Sequence, residues 1–170
     1  MGFSDLLKKM FGSKADRDLK EIKPILNKAL AAYERIDKMS DDQVREEAQR
    51  IKKVIAERIA ADEAKKKEFR GQLEDLTLSP DEKERIATEV DKLTKKIDAA
   101  IEVVLMEVLP EAFAVMRSTA RRFKENAEIK VLATEADREL STRADFVRIE
   151  GDYAIWKNTW LAGGCICFFG

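Results

Sequence analysis

Two long stretches with apolar residues at spacings of three and four, separated by one short break, limit what this chain can fold into. The second stretch opens with Ser79, Pro80 and Glu82, which supply an N-cap, a proline in the first turn and a capping-box glutamate. Its apolar positions are Ile86, Val90, Leu93, Ile97, Ile101, Val104, Leu105 and Val108. Because each apolar stripe is too narrow to hold a helix alone, the pattern predicts a long antiparallel helical hairpin.

The first stretch runs from Asp41 to Leu76 and follows a second capping box, formed by Ser40 and Gln43. Its apolar positions are Val44, Ile51, Val54, Ile55 and Ile59. Residues 62–67 are almost wholly charged, and Gly71 weakens a helix by about 1 kcal/mol relative to alanine. We therefore expect the charged residues to form the solvated tip of the hairpin.

Shorter elements are predicted on either side of the hairpin. Residues 16–38 form one helix, which Pro24 is expected to bend or restart. Residues 128–133 alternate as a strand, and the β-rich runs 146–149 and 153–156 flank Gly151 as a hairpin. The predicted fold class is mainly α: an N-terminal amphipathic helix, a bent helix, the long helical hairpin, a helix over 109–122 and a small β-hairpin.

The N-terminal segment, residues 1–12, has the pattern of a short amphipathic helix that ends at Gly12. Its apolar residues fall on one face and two lysines flank them: Phe3, Leu6, Leu7, Met10 and Phe11, with Lys8 and Lys9. Two interpretations follow from this pattern. The face either folds back on the chain's own core or anchors the chain on an anionic membrane surface.

The run LPEAFAVMRSTARR, residues 109–122, carries the most specific string in the chain. Pro110 suits the first turn of a helix, and Glu111 in that turn favours the helix dipole. We therefore expect a helix to begin at Pro110. Composition alone would predict that this segment is an ordinary buried helix. The candidate signature residues are Leu109, Pro110, Glu111, Ala112, Phe113, Ala114, Val115 and Arg117.

Composition excludes several classes of chemistry. The chain has no histidine, which removes Ser-His, Cys-His and His-metal sites, and its two cysteines, Cys165 and Cys167, are too few for a zinc site. The formal net charge of -1 gives no case for nucleic-acid binding. No apolar run reaches the roughly 20 residues of a membrane span, and no secretory signal pattern is present. A reducing cytosol is the expected compartment.

The string LPEAFAV followed by an arginine closely resembles the signature ahead of the nucleotide-binding site in SecA, the motor ATPase of bacterial preprotein export. The runs DRDLKEIKP, TARRF, DFVRIEGD and WKNTWLAGG resemble the same family, and the long charged hairpin resembles a subset with an insertion before LPEAF. The resemblance covers about residues 1 to 164. It implies that residues 1–12 dock on lipid and on the SecY channel at the cytoplasmic face of the inner membrane.

The resemblance stops before the nucleotide-binding chemistry. A phosphate loop needs a glycine-rich turn followed by Lys and Ser or Thr, whereas Gly163 and Gly164 are followed by Cys165. The final run CICFFG matches nothing that the family leads us to expect. We therefore expect no catalytic, cofactor or metal residues and no enzymatic activity in this chain. ATP, magnesium and the preprotein belong to the parent family.

The chain is expected to divide into a docking helix (1–12), a helical region (13–125), a β-hairpin region (126–164) and an atypical tail (165–170). The leading hypothesis is a fragment of a SecA-type motor that keeps only membrane and channel docking. The alternative is a non-enzymatic helical-hairpin interaction protein derived from SecA.

Overall fold

The computed structural model describes residues 14–162 and 165–168, in which four helices precede or alternate with five short strands. The mainly α prediction is confirmed. The elements are α1 (Lys14–Ile36), α2 (Asp41–Leu73), α3 (Pro80–Glu125), β1 (Glu128–Leu132), α4 (Glu135–Ser141), β2 (Val147–Glu150), β3 (Tyr153–Lys157), β4 (Thr159–Ala162) and β5 (Cys165–Phe168). Among the described residues, no helix is long and apolar enough to cross a membrane.

The chain forms two compact units. One is the contiguous stretch Glu47–Leu109, and the other combines the residues up to Glu46 with those from Pro110 onward. The contiguous unit, called here the hairpin unit, buries a common seam of side chains from α2 and α3: Ile51, Val90, Ile97, Val104 and Val108. Arg58 pairs with Glu107 at 2.7 Å, and Lys96 with Asp62 at 2.8 Å. The predicted antiparallel hairpin is therefore confirmed, although Leu105 is exposed and not part of the seam.

The turn of the hairpin lies farther along the chain than the charge pattern predicted. Helix α2 continues to Leu73, so the charged residues 62–67 are helical and do not form the tip. Within that helix Lys66 donates to Glu63 at 2.6 Å, a spacing that supports a helix. The turn falls at residues 74–79, where Asp75 accepts hydrogen bonds from the backbone and the hydroxyl of Thr77.

Helix α3 is a single helix of 46 residues that contains Pro110. Its start at Pro80 is as predicted, since the backbone N–H of Ser79 donates to Glu82 at 2.9 Å in a capping box. The prediction that a new helix begins at Pro110 is wrong. Proline has no N–H, so its presence inside the helix removes one hydrogen bond of the ladder, yet the helix continues through it.

The second unit, called here the sheet unit, contains a three-stranded antiparallel sheet in the order β1-β3-β2. The predicted β2–β3 hairpin is confirmed, and Gly151 turns it with a φ of 61°, which favours glycine. The sheet buries Ile129, Val131, Val147 and Ala154. Helix α4 and the antiparallel pair β4–β5 were not predicted from the sequence.

Candidate functional site

Signature residues that follow Pro110 anchor helix α3 to α1 and to the start of α2 within the sheet unit. Ala114 has 1% of its surface exposed and packs in one cluster with Ile36 and Val44, against which Val115 also lies. Of the remaining signature residues, Pro110 is buried, Leu109, Glu111 and Ala112 are half-buried, and Phe113 and Arg117 are exposed.

Two charged signature residues also contact α1. The guanidinium carbon of Arg117 lies 4.4 Å from the ring centroid of Tyr33, a cation–π geometry that contributes about 0.5–1 kcal/mol at exposed sites. Arg35 pairs with Glu111 at 3.4 Å. The signature helix is thus held on α1 by both apolar and charged contacts.

A polar cluster lies one turn further along α3. Ser118, fully buried, donates from its hydroxyl to Asp37 at 3.4 Å, and Arg121 donates to the same carboxylate at 2.9 Å. Arg122 donates to the backbone carbonyl of Met39 at 2.5 Å. Burial raises the pKa of Asp37, but hydrogen bonds from Arg121 and Tyr33 outweigh it, so the pKa lies below its usual value. This cluster fixes the chain between α1 and α2.

A second cluster joins the start of α2 to α4. Two guanidinium nitrogens of Arg45 donate to the two carboxylate oxygens of Asp137 at 2.7 and 2.5 Å, and one of them also donates to the carbonyl of Leu132 at 3.0 Å. Thr134 donates to the same carboxylate from its backbone N–H at 2.8 Å and completes a capping box. Burial raises the pKa of Asp137, but these donors lower it more, and the pKa falls below its usual range.

Sequence reasoning missed both clusters, because their partners are 81 to 92 residues apart. The one local signal was Thr134 followed three residues later by Asp137, which is the spacing of a capping box.

Beside the anchored residues, α1 and α3 expose a set of large apolar side chains, called here the apolar face. Phe113 is 54% exposed and Met116 is 68% exposed, and four residues of α1 join them: Leu19, Ile22, Leu26 and Leu30. A groove of about 320 Å³ runs along part of this face, between Ile22, Leu26 and Phe113. An exposed apolar groove of this kind marks a site of interaction with a protein, a membrane or a ligand.

The predicted docking residues Phe3, Leu6, Leu7, Lys8, Lys9, Met10 and Phe11 lie outside the described residues. Within residues 14–162 and 165–168, no group of three or more acidic, cysteine or histidine side chains is arranged to hold a metal ion. The exposed side chains of the apolar face are by their composition suited to binding a partner surface.

The comparisons with known proteins identify similar chains by sequence alone. A protein translocase subunit SecA of Phocaeicola vulgatus is 46% identical over 165 residues, and one of Parabacteroides distasonis is 48% identical over 164. A third, from Porphyromonas gingivalis, is 44% identical over 164 residues. Each match covers 96% of this chain, which spans only about 15% of the length of these relatives. No family model and no solved structure matches.

Proposed function

Because this chain corresponds to an N-terminal portion of SecA, we propose that it carries the part of a translocase motor that docks on the membrane and on the SecY channel. The observation that supports the proposal most is the identity of 44 to 48% over 96% of the chain. Since the chain spans about 15% of its relatives, the ATP-driven export of preproteins is proposed for the whole parent protein.

We assign docking to residues 1–12, at the cytoplasmic face of the inner membrane. Phe3, Leu7 and Phe11 share one face of the amphipathic pattern and would enter the boundary between headgroups and acyl chains. Lys8 and Lys9 would face lipid phosphates, at about 1 kcal/mol each near an anionic surface. With so few charges and so small an apolar face, the association is weak, reversible and reduced by salt.

Co-sedimentation with vesicles tests this assignment. The full chain is expected to pellet with vesicles that contain phosphatidylglycerol and to remain in solution with phosphatidylcholine alone. Residues 13–170 without the segment, and the full chain with Phe3→Asp and Phe11→Asp, are expected to stay soluble and folded. Leu76→Asp is the matched control, because Leu76 is apolar, 92% exposed and distant in sequence. The assignment is wrong if the altered segment pellets as well as the unchanged chain.

A second candidate function is an interaction role for the hairpin unit without any enzymatic activity. It is favoured by three large apolar side chains that α3 exposes in that unit, Val103, Leu105 and Met106. This candidate predicts that the full chain has no affinity for anionic vesicles, and that Val103→Ser with Met106→Ser abolishes binding of a protein partner. The first candidate predicts vesicle binding that depends on residues 1–12 instead.

A further inference from the structure

Within the described part of the chain, β1 lies at one edge of the three-stranded sheet, and β3 pairs with only one side of it. In an antiparallel pair, alternate residues exchange backbone hydrogen bonds with the partner strand. The N–H of Ala133 donates to the carbonyl of Asp152 at 2.8 Å, which fixes this alternation along β1. The backbone groups of Glu128, Lys130 and Leu132 therefore point away from β3, towards the free edge of the sheet.

Two side chains from the first two turns of α2 occupy this edge at Leu132. The carboxylate of Asp42 accepts a hydrogen bond from the backbone N–H of Leu132 at 2.7 Å. The guanidinium of Arg45 donates to the backbone carbonyl of the same residue at 3.0 Å. One acceptor and one donor thus meet the N–H and C=O of a single edge residue, as a neighbouring antiparallel strand would meet them. Asp42 and Arg45 are called here the edge clamp.

The side chain of Asp137 in α4 holds Arg45 in position. Two guanidinium nitrogens of Arg45 donate to the two oxygens of this carboxylate at 2.7 and 2.5 Å, a bidentate geometry that fixes the plane of the guanidinium. Asp137 is only 2% exposed, and the hydroxyl of Thr134 donates to it at 2.8 Å. A buried and hydrogen-bonded carboxylate therefore orients Arg45 towards the carbonyl of Leu132.

An open strand edge favours self-association, because its unpaired N–H and C=O groups can pair with a strand of another molecule. The side chain of Leu132 is 54% exposed, so solvent and other chains can reach this part of β1. Natural sheets protect such edges with charged side chains or with a covering helix. Asp42 and Arg45 combine both forms of protection, since they are charged and belong to a helix.

We propose that the edge clamp takes the place of a fourth strand and keeps β1 from pairing with a strand of a second copy of this chain. Asp42 and Arg45 occupy the backbone groups that such a strand needs, and Asp137 is the positioning residue for Arg45. The same contacts also tie α2 to the sheet. A clamp that served only this purpose would lower stability on removal and would leave self-association unchanged.

Removal of the clamp in the full chain tests the proposal. Asp42→Ala with Arg45→Met removes the acceptor and the donor, and methionine keeps an unbranched apolar side chain. Asp137 still accepts hydrogen bonds from the backbone N–H and the hydroxyl of Thr134, so its carboxylate keeps partners. Asp42→Asn with Arg45→Lys is the conservative variant, because it keeps an acceptor and a donor for Leu132. Sedimentation velocity at equal protein concentrations compares self-association, and far-ultraviolet circular dichroism checks that each variant folds.

We expect the association constant of the unclamped chain to exceed that of the unchanged chain about ten-fold or more, because two backbone hydrogen bonds at Leu132 become available to a second copy. The conservative variant is expected to associate as the unchanged chain does. An unclamped chain that is folded and associates no more than the unchanged chain overturns the proposal.

Substitution of Lys130 in the unclamped chain tests whether β1 is the surface that pairs. The N–H of Lys130 points to the free edge, so Lys130→Pro removes a donor that an incoming strand would use and no hydrogen bond to β3. Lys130→Ala is the matched control, because it also removes the lysine side chain but keeps the N–H. We expect the proline to reverse the added association and the alanine to leave it. Association that persists with the proline belongs to another surface and overturns the proposal.

Amide hydrogen exchange tests the clamp without removing Arg45. Asp42→Ala alone should speed the exchange of the Leu132 amide about ten-fold, since a hydrogen bond to a charged acceptor is lost. Asp81→Ala, which removes an acidic residue from the first turn of α3, is the control and should leave Leu132 unchanged. Unchanged exchange at Leu132 in Asp42→Ala overturns the proposal. If the double variant fails to fold, Asp42→Ala takes its place in the sedimentation comparison, where a lack of added association is equally decisive against the proposal.

Discussion

Two adjacent valines in α3 allow the buried seam of the hairpin unit to be measured with an internal control. Val104 has 0% of its surface exposed, and Val103 has 55%. Replacing either residue with alanine removes the same two methyl groups from the same helix. Any difference between the two variants in the free energy of unfolding therefore reports burial.

The expected magnitudes follow from the exposures. At about 0.8 kcal/mol per buried carbon, Val104→Ala loses about 1.6 kcal/mol of transfer free energy. The cavity that remains adds to this loss because a packed seam relaxes only in part. Alanine is the better helix former by about 0.6 kcal/mol, and this gain applies at both positions. The net loss is about 2 kcal/mol for Val104→Ala and below about 0.5 kcal/mol for Val103→Ala.

Urea denaturation followed by far-ultraviolet circular dichroism measures both losses, with the free energy taken by linear extrapolation. The two variants should keep the slope of the unchanged chain, which shows that the same surface is exposed on unfolding. Similar losses for the two valines would show that the hairpin is not packed along the seam that contains Val104 and Ile97.

Three further outcomes are expected. Gly71→Ala in α2 meets no atom within 4 Å and should raise stability by about 1 kcal/mol. Gly151→Ala places a side chain at a φ of 61° and should lower stability by about as much. Thermal unfolding compares the two variants. Because the pKa of Asp137 is lowered in the fold, its contribution is present above about pH 4, the unfolded carboxyl range, and is lost as the pH falls through the lowered folded pKa. The stability difference between the unchanged chain and Asp137→Asn should therefore shrink in acid, as pH-dependent urea titrations can determine, and a constant difference would contradict this. Calorimetry should detect no saturable ATP binding at micromolar affinity by these 170 residues, since they contain no phosphate loop.

The starts of helices could be predicted because their signals are local. The capping boxes of Ser40 with Gln43 and of Ser79 with Glu82 each lie within four residues, and both form as expected. The turn at Gly151 was also predicted, because a positive φ restricts the choice of residue. These features depend on steric contacts and hydrogen bonds between residues a few positions apart, so the local sequence is enough to predict them.

The errors arose where distant contacts or helix propensity outweigh a local signal. The charged run 62–67 resembled a solvated tip, but its residues pair along α2 and with Lys96 of α3, so the helix continues. Pro110 resembled a helix start, but the helix is packed on both sides of it, through Val108 and Ala114. Helix α4 has seven residues, too few to show a periodic pattern. The role of residues 1–12 and the fourfold division of the chain stay predictions.

Helix α3 is continuous in its geometry, but Pro110 divides its hydrogen bonding. The carbonyl four residues earlier, that of Met106, has no helical N–H to accept from, and this gap lies beside the boundary where Leu109 closes one unit and Pro110 opens the other. Unwinding of a helix propagates from one backbone hydrogen bond to the next. A missing hydrogen bond therefore weakens the coupling between the residues before Pro110 and those after it. Amide hydrogen exchange along α3 should therefore show two levels of protection, one for the residues before Pro110 and another for those after it. The two parts of this single helix would then open as separate units.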